Sequence, residues 1–140
     1  VVCGSNRKLM QRLERMRAAS AMPVRVFGFV ETMHELMHVS DLLVTKAGGL
    51  TIMEALALGL PMVFCGTIPG QERPNADYVV QHGAGVMAKD ATEVIDTVLR
   101  LLDDPRELAS MRAQAMALGR PSAAQELVER LIMKSIVHSP

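Results

Sequence analysis

The segment HELMH, residues 34–38, has the spacing of a zinc-binding motif. In the H-E-x-x-H pattern, two histidines one helical turn apart hold zinc, and the glutamate between them activates a water molecule. On a helix, however, Met33 and Met37 share one face, while His34 and His38 lie roughly opposite, where water is expected. A zinc pair needs the reverse burial, and no third ligand has a clear claim. We therefore predict no metal site here.

The segment KAGGLTIMEAL, residues 46–56, combines residue types that suit a phosphate. Gly48 and Gly49 let a ligand approach the backbone, and the helix that follows begins with unpaired N–H groups and a partial positive charge. Thr51 adds a hydroxyl at the same end. Glu54, about one turn further, is placed to accept two hydrogen bonds from a ribose diol, which indicates a nucleotide diphosphate. Alternatively, the glycines form a tight strand–helix turn and Glu54 is a solvated helix residue.

Two further residues near the start of the chain are of the same kind. Gly4 and Asn6, in the segment GSN, offer donors to a phosphate from a neighbouring loop. Alternatively, Asn6 is the N-cap of the next helix. The chain contains neither G-x-x-x-x-G-K-[ST] nor G-x-G-x-x-G, which argues against ATP hydrolysis and dinucleotide redox chemistry. We expect no cofactor.

The segment IPGQE, residues 68–72, places an amide and a carboxylate side by side. Gln71 and Glu72 pair well with the hydroxyl groups of a sugar. Alternatively, Pro69 and Gly70 form a turn and Glu72 is a charge at the start of a helix, although this leaves Gln71 unexplained.

The elements that must position these residues alternate between short β-rich runs and helical patterns. This alternation predicts a Rossmann-like α/β fold with a doubly wound parallel sheet. The predicted strands are residues 1–3, 24–30, 41–47, 61–65 and 84–88. Helices are predicted from Leu9 until Pro23, at HELMH, over 50–58 with Gly59 as the C′ residue, over 76–83 and 92–104, and in two further segments that Pro105 and Pro121 separate.

The first predicted strand opens the chain, although a doubly wound sheet usually begins with its central strand. If the strand order is 3-2-1-4-5-6, the strands present are the second to the sixth. We therefore expect a sheet that lacks its first strand, within a single domain over residues 1–140.

Composition excludes several classes of protein. Lys plus Arg number 15 and Asp plus Glu number 15, and aromatic residues are 3% of the chain, so nucleic acid is not an expected partner. No apolar run reaches the roughly 18–20 residues that span a bilayer. Cys3 and Cys65 form no disulfide framework, which favours a reducing compartment. We expect a cytoplasmic protein, or a peripheral one on the cytoplasmic face of a membrane.

Three motifs in order, KAGG, EALALGLP and PGQERPNAD, resemble the carboxyl-terminal half of GT-B glycosyltransferases. The resemblance spans roughly residues 1–118 and is greatest to the processive diacylglycerol glucosyltransferases and the monogalactosyldiacylglycerol synthases, with the peptidoglycan N-acetylglucosaminyltransferase more distant. It implies the carboxyl-terminal half of a GT-B fold and an inverting glycosyltransferase that moves glucose or galactose from a UDP-sugar to diacylglycerol or a related lipid.

The resemblance also implies a role for each matching position. Phe29, Val30 and Met33 would contact the uracil. The diphosphate and ribose would be held by Gly48, Gly49, Leu50, Thr51 and Glu54, with Gly4 and Asn6 nearby, and the transferred sugar by Pro69, Gly70, Gln71 and Glu72. In this family the catalytic base and most acceptor and membrane contacts lie on the amino-terminal half, so no catalytic residue is assigned here. The 140-residue chain is expected to bind donor without turning it over.

Two alternatives remain. In the first, the chain is a donor-binding subunit that works only with a membrane partner chain, and transfer requires a second gene product. Or it is a UDP-sugar epimerase-like domain, which the PGQE segment fits poorly.

Overall fold

A computed structural model describes residues 1–66, 70 and 72–137, and it divides the chain into two compact units, Val1–Leu36 and Met37–Pro140. Its elements are α1 (Arg7–Ala18), α2 (Met33–His38), β1 (Leu43–Thr45), α3 (Gly49–Ala57), β2 (Met62–Phe64), α4 (Arg73–Gln81), β3 (Gly85–Met87), α5 (Ala91–Asp103), α6 (Pro105–Leu118) and α7 (Ala123–Val137). No helix in this described part is long and apolar enough to cross a bilayer.

In the first unit, the two predicted strands are reduced to one parallel bridge between Val2 and Phe27. Phe27 N–H donates to the Val1 carbonyl, and Cys3 N–H donates to the Phe27 carbonyl, both at 2.8 Å. The prediction of a strand over 24–30 is wrong in extent. Pro23 brings no N–H to a ladder, and the chain bends at Gly28, so regular pairing is confined to the residues between them.

In the second unit, three parallel strands lie in the order β1-β2-β3, as the prediction of a parallel α/β fold requires. The register pairs Leu43 with Met62 and Met62 with Gly85. Because β2 has a neighbour on each side, all three of its residues are buried. The pairing found within each unit is the one expected for neighbours in the 3-2-1-4-5-6 order.

The core of the second unit lies where α5 packs on β2 and α6. Val63, Ala88, Leu101 and Met111 form one buried cluster, and half-buried Leu42, Val86, Val94 and Val98 surround it. Asp90 caps α5 by accepting a hydrogen bond from Glu93 N–H, and Asp104 caps α6 through Arg106 N–H and Glu107 N–H. Caps of this kind satisfy backbone donors that have no partner within the helix.

Most helix boundaries agree with the sequence prediction to within two residues, and α1 and α4 are the exceptions. Helix α1 ends at Ala18 and does not continue to Pro23 as predicted, and in the segment between them Ser20 Oγ hydrogen-bonds the backbone of Met22. Gly59, with φ of +64°, ends α3 at the predicted C′ position. Helix α4 begins at Arg73, three residues before the predicted start at Ala76. Pro74 lies in the first turn, where its missing N–H would have had no helical partner, so it favours the helix start that the prediction treated as loop.

Candidate functional site

The loop that leaves β1 turns directly into α3. Gly48 is the N-cap residue, with φ of −67° and ψ of 132°, and no side chain caps this helix end. Gly49 and Leu50, the first two helical residues, are exposed. Their N–H groups lie before the first intrahelical bond, which Ile52 N–H donates to the Gly48 carbonyl at 3.0 Å. The start of α3 thus presents uncapped donors and the positive end of the helix dipole.

The fold itself does not require glycine at positions 48 and 49. Neither residue has a positive φ. A Cβ atom on Gly48 would lie 3.9 Å from Thr51 Oγ1, and one on Gly49 would lie 3.8 Å from Asn75 Nδ2; both are ordinary contacts. By contrast, a Cβ on Gly85 would lie 2.9 Å from the Phe64 ring. The open backbone at the start of α3 is therefore not explained by packing.

Thr51 and Glu54 lie on the same helix as these glycines. Thr51 is half-buried, and its hydroxyl lies beside the N-cap residue. Glu54 is exposed one turn further along, and among the described residues it has no ion-pair partner. A hydroxyl at the helix start and a free carboxylate beyond it are available to a ligand.

The loop that leads into α4 is tied to the loop after β1 by two side-chain bonds. Lys46 Nζ donates to Glu72 Oε1 at 2.9 Å. Asn75 Nδ2 donates to the carbonyl oxygen of Ala47 at 3.3 Å, which gives this fully buried residue a partner for its C=O group. The two loops therefore form one assembly at the carboxyl ends of β1 and β2, where ligands bind in open α/β sheets.

The two members of the ion pair are unequally exposed. The Lys46 side chain is 63% exposed, whereas that of Glu72 is 11% exposed. Because one partner remains in water, we expect the pair to contribute no more than about 1 kcal/mol to folding. Its structural consequence is orientation, since the ammonium group fixes one carboxylate oxygen of Glu72.

Sequence reasoning did not assign Lys46 or Asn75. Both were visible in the motifs, as the lysine of KAGG and the asparagine of PGQERPNAD. Their contact with the other loop depends on the adjacency of β1 and β2, which no local pattern encodes. Of the residues predicted to contact the sugar, Glu72 lies at this loop assembly, and Gly70 is exposed with φ of +88°. Pro69 and Gln71 lie outside the described residues.

The other predicted site residues lie in the first unit. Gly4 has φ of +55° in the turn after the bridge, and a Cβ there would meet nothing within 4 Å. Asn6 is the N-cap of α1, accepting from Leu9 N–H at 3.0 Å, as the alternative interpretation proposed. Phe29 is 74% exposed, and Val30 and Met33 are half-buried.

The HELMH segment forms α2 with the predicted burial. Met37 is buried, while His34, Glu35 and His38 are exposed. Within residues 1–66, 70 and 72–137, no three His, Cys, Asp or Glu side chains are grouped closely enough to hold a metal ion. The segment therefore has the sequence pattern of a zinc site, but its two histidines are exposed to solvent.

The strand order and these loops define a parallel α/β sheet that is open at the carboxyl ends of β1 and β2. Residues 1–127 match the family model of the glycosyltransferase family 28 C-terminal domain. This chain belongs to that family.

Relatives of known name extend the likeness over nearly the whole chain. The processive diacylglycerol beta-glucosyltransferase of Bacillus cytotoxicus is 35% identical over 132 residues, covering 94% of this chain and 34% of its own length. The protein of the same name from Bacillus cereus is 36% identical over 137 residues, covering 98% of this chain and 35% of its own. The chain thus spans about a third of the length of the curated relatives it matches.

Solved structures show the same fold. The crystal structure of MurG from Acinetobacter baumannii is 25% identical, with a TM-score of 0.76 over 91% of this chain and 39% of that one. The spinosyn forosaminyltransferase SpnP is 23% identical, with a TM-score of 0.59 over 94% of this chain and 43% of that one. The predicted GT-B fold class is confirmed.

Proposed function

We propose that this domain binds the UDP-sugar donor of a glycosyltransferase that transfers a hexose to diacylglycerol or a related lipid. The observation that carries the proposal is the open start of α3, where Gly48 and Gly49 are required neither by φ nor by packing. A diphosphate needs close approach to uncapped N–H groups, and a glycine pair permits it. The names of the relatives supply the acceptor class, diacylglycerol.

The other residues take roles that follow from their chemistry. The Thr51 hydroxyl and the α3 N–H groups hold the diphosphate, and Glu54 accepts hydrogen bonds from the ribose hydroxyls. Glu72 meets the sugar. That exposed Phe29 and half-buried Val30 contact the uracil stays a prediction from the family resemblance. No metal and no cofactor enter this scheme. The base that activates the acceptor, and most of the peripheral contacts with the membrane, are expected on another part of the whole enzyme.

The glycine pair gives the most direct test. We expect Gly49→Ala to leave the chain folded and to raise its stability slightly, by about 0.4–1 kcal/mol, because alanine has less backbone freedom than glycine in the unfolded chain. The added methyl group occupies the approach path of the diphosphate, so UDP affinity is expected to fall by about tenfold, or about 1.4 kcal/mol. Calorimetric titration with UDP and a thermal melt measure the two effects.

A rise in stability together with a fall in UDP affinity would show that the methyl group blocks the diphosphate and does not unfold the chain. An unchanged UDP affinity in Gly49→Ala would remove the steric argument. No binding of UDP to the unaltered chain would overturn the proposed function itself.

The Lys46–Glu72 pair tests the sugar end of the site. In Lys46→Met, Glu72 keeps its charge but loses the ammonium group that fixes one oxygen. We expect the affinity for UDP-glucose or UDP-galactose to fall by up to about tenfold, while that for UDP falls less. Titration with both ligands gives the ratio of the UDP-sugar affinity to the UDP affinity. Lys46→Arg keeps the positive charge and is expected to restore much of that ratio.

Lys89→Met is the matched control because Lys89 is exposed at the start of α5 and its side chain enters no ion pair within the described part of the chain. Equal losses for UDP and UDP-sugar in Lys46→Met would contradict the assignment of Glu72 to the sugar.

A further inference from the structure

Helix α1 concentrates positive charge in a chain whose formal net charge is zero. It holds a single acidic residue, Glu14, and its basic residues are Arg7, Lys8, Arg12, Arg15 and Arg17. None of its residues is buried, so the charges lie on a solvent-facing helix. Core packing does not explain this composition.

Three of these charges form one row, which we call the basic stripe: Lys8, Arg12 and Arg15. Their spacing of four and then three residues places them on one side of the helix. None of the three has an ion-pair partner among the described residues. Glu14 lies on the far side of α1, where it pairs with Arg17 at 2.7 Å. The basic stripe is therefore not neutralised by its own helix.

An apolar row borders the basic stripe. Leu9 and Met16, seven residues apart, are 39% and 58% exposed. Met10 and Leu13, on another side of the helix, are half-buried, and Met10 Sδ lies 3.4 Å from the position of a Cβ on Gly28. The helix thus packs through one apolar side and exposes a second one next to its unpaired charges.

We propose that the basic stripe, with Leu9 and Met16 beside it, binds the surface of an anionic lipid bilayer. Lysine and arginine side chains reach lipid phosphates, and apolar side chains on the adjacent row enter the headgroup boundary, as in interfacial helices. A dissolved phosphate ion would use the charges alone and leave the apolar row exposed. The combination of both rows favours a bilayer over free phosphate.

The test is sedimentation of the 140-residue chain with vesicles. Phosphatidylcholine vesicles containing about one third phosphatidylglycerol are compared with pure phosphatidylcholine vesicles. We expect binding to the anionic vesicles only, weakening as salt is raised. In Lys8→Gln/Arg12→Gln/Arg15→Gln, partition onto the anionic vesicles is expected to fall about a hundredfold, because each of the three charges contributes about 1 kcal/mol of binding free energy.

The matched control removes three charges elsewhere, in Lys89→Gln/Arg106→Gln/Arg120→Gln. These side chains are exposed and enter no ion pair in the described chain. We expect the partition of this variant onto anionic vesicles to fall by less than tenfold. Met16→Gln leaves the charge unchanged and is expected to weaken the binding.

Equal losses in the two triple variants would reduce the effect to net charge and overturn the proposal. Equal binding to both kinds of vesicle, or no binding to either, would also overturn the proposal. So would an unchanged partition of Met16→Gln onto anionic vesicles. The assay contains no nucleotide, so its outcome is independent of the donor site.

Discussion

Replacing Glu54 with alanine is expected to weaken UDP binding by about 1.5–3 kcal/mol, or about ten- to a hundredfold. The carboxylate is exposed one turn into α3, so the change removes no core contact and breaks no ion pair within the described residues. Under the proposed function, the change removes an acceptor for two ribose hydroxyl donors, and hydrogen bonds to a charged group are among the stronger ones. Calorimetric titration with UDP measures the loss.

A double comparison isolates the ribose contact. In the unaltered chain, 2′-deoxy-UDP is expected to bind more weakly than UDP, because one donor to Glu54 is missing. In Glu54→Ala the two ligands are expected to bind alike. Glu126→Ala, at an exposed glutamate in the first turn of α7, is the control for loss of a negative charge. Equal UDP affinity in Glu54→Ala and the unaltered chain would refute the ribose assignment.

Gly119→Ala is expected to destabilise the second unit by about 2–3 kcal/mol. Gly119 ends α6 with φ of −64° and ψ of 139°, a conformation open to alanine, so backbone strain is not the cause. The cause is space. A Cβ here would overlap the carbonyl oxygen of Leu56 and lie 2.9 Å from its carbonyl carbon. These are backbone atoms of α3 and cannot rotate away, so the two helices must separate. Urea unfolding measures the loss.

Gly28→Ala provides the comparison for that measurement. Gly28 also lacks a positive φ. The atom nearest to a Cβ added there would be Met10 Sδ at 3.4 Å, which belongs to a flexible side chain. We expect a change within about 0.5 kcal/mol. If Gly119→Ala proved equally mild, the close approach of α6 to α3 would not be what holds glycine at position 119.

The helices and the strands of the second unit were predictable because their patterns are local. The 3.6-residue periodicity, Gly59 as a C′ residue and Pro105 at a helix start act within one or two turns. Residues 41–47, 61–65 and 84–88 each contain one of the three observed strands. The run over 24–30 is also rich in β-branched and aromatic residues, yet it forms only the bridge at Phe27, because Pro23 brings no N–H and the chain bends at Gly28.

The candidate site was predictable in part for the same reason. Gly48, Gly49, Thr51 and Glu54 lie on one short segment, so their relation follows from a single helix start. Asn6 had two open interpretations from sequence, and the observed hydrogen bond to Leu9 N–H shows that it is an N-cap. Its predicted contact with a phosphate remains a prediction.

By itself, the sequence determined the element types, the parallel sheet and the likeness to a glycosyltransferase family, because periodicity, turn residues and motif spacing are properties of neighbouring residues. Only the tertiary structure decided that Lys46 reaches Glu72 and that Asn75 reaches the Ala47 carbonyl. Those contacts join segments 26 and 28 residues apart. They exist because β1 and β2 are adjacent in the sheet and bring the loops at their carboxyl ends together. The assumed strand order made this adjacency an expectation, but which side chains meet across the two loops depends on three-dimensional geometry that no local pattern of residues specifies.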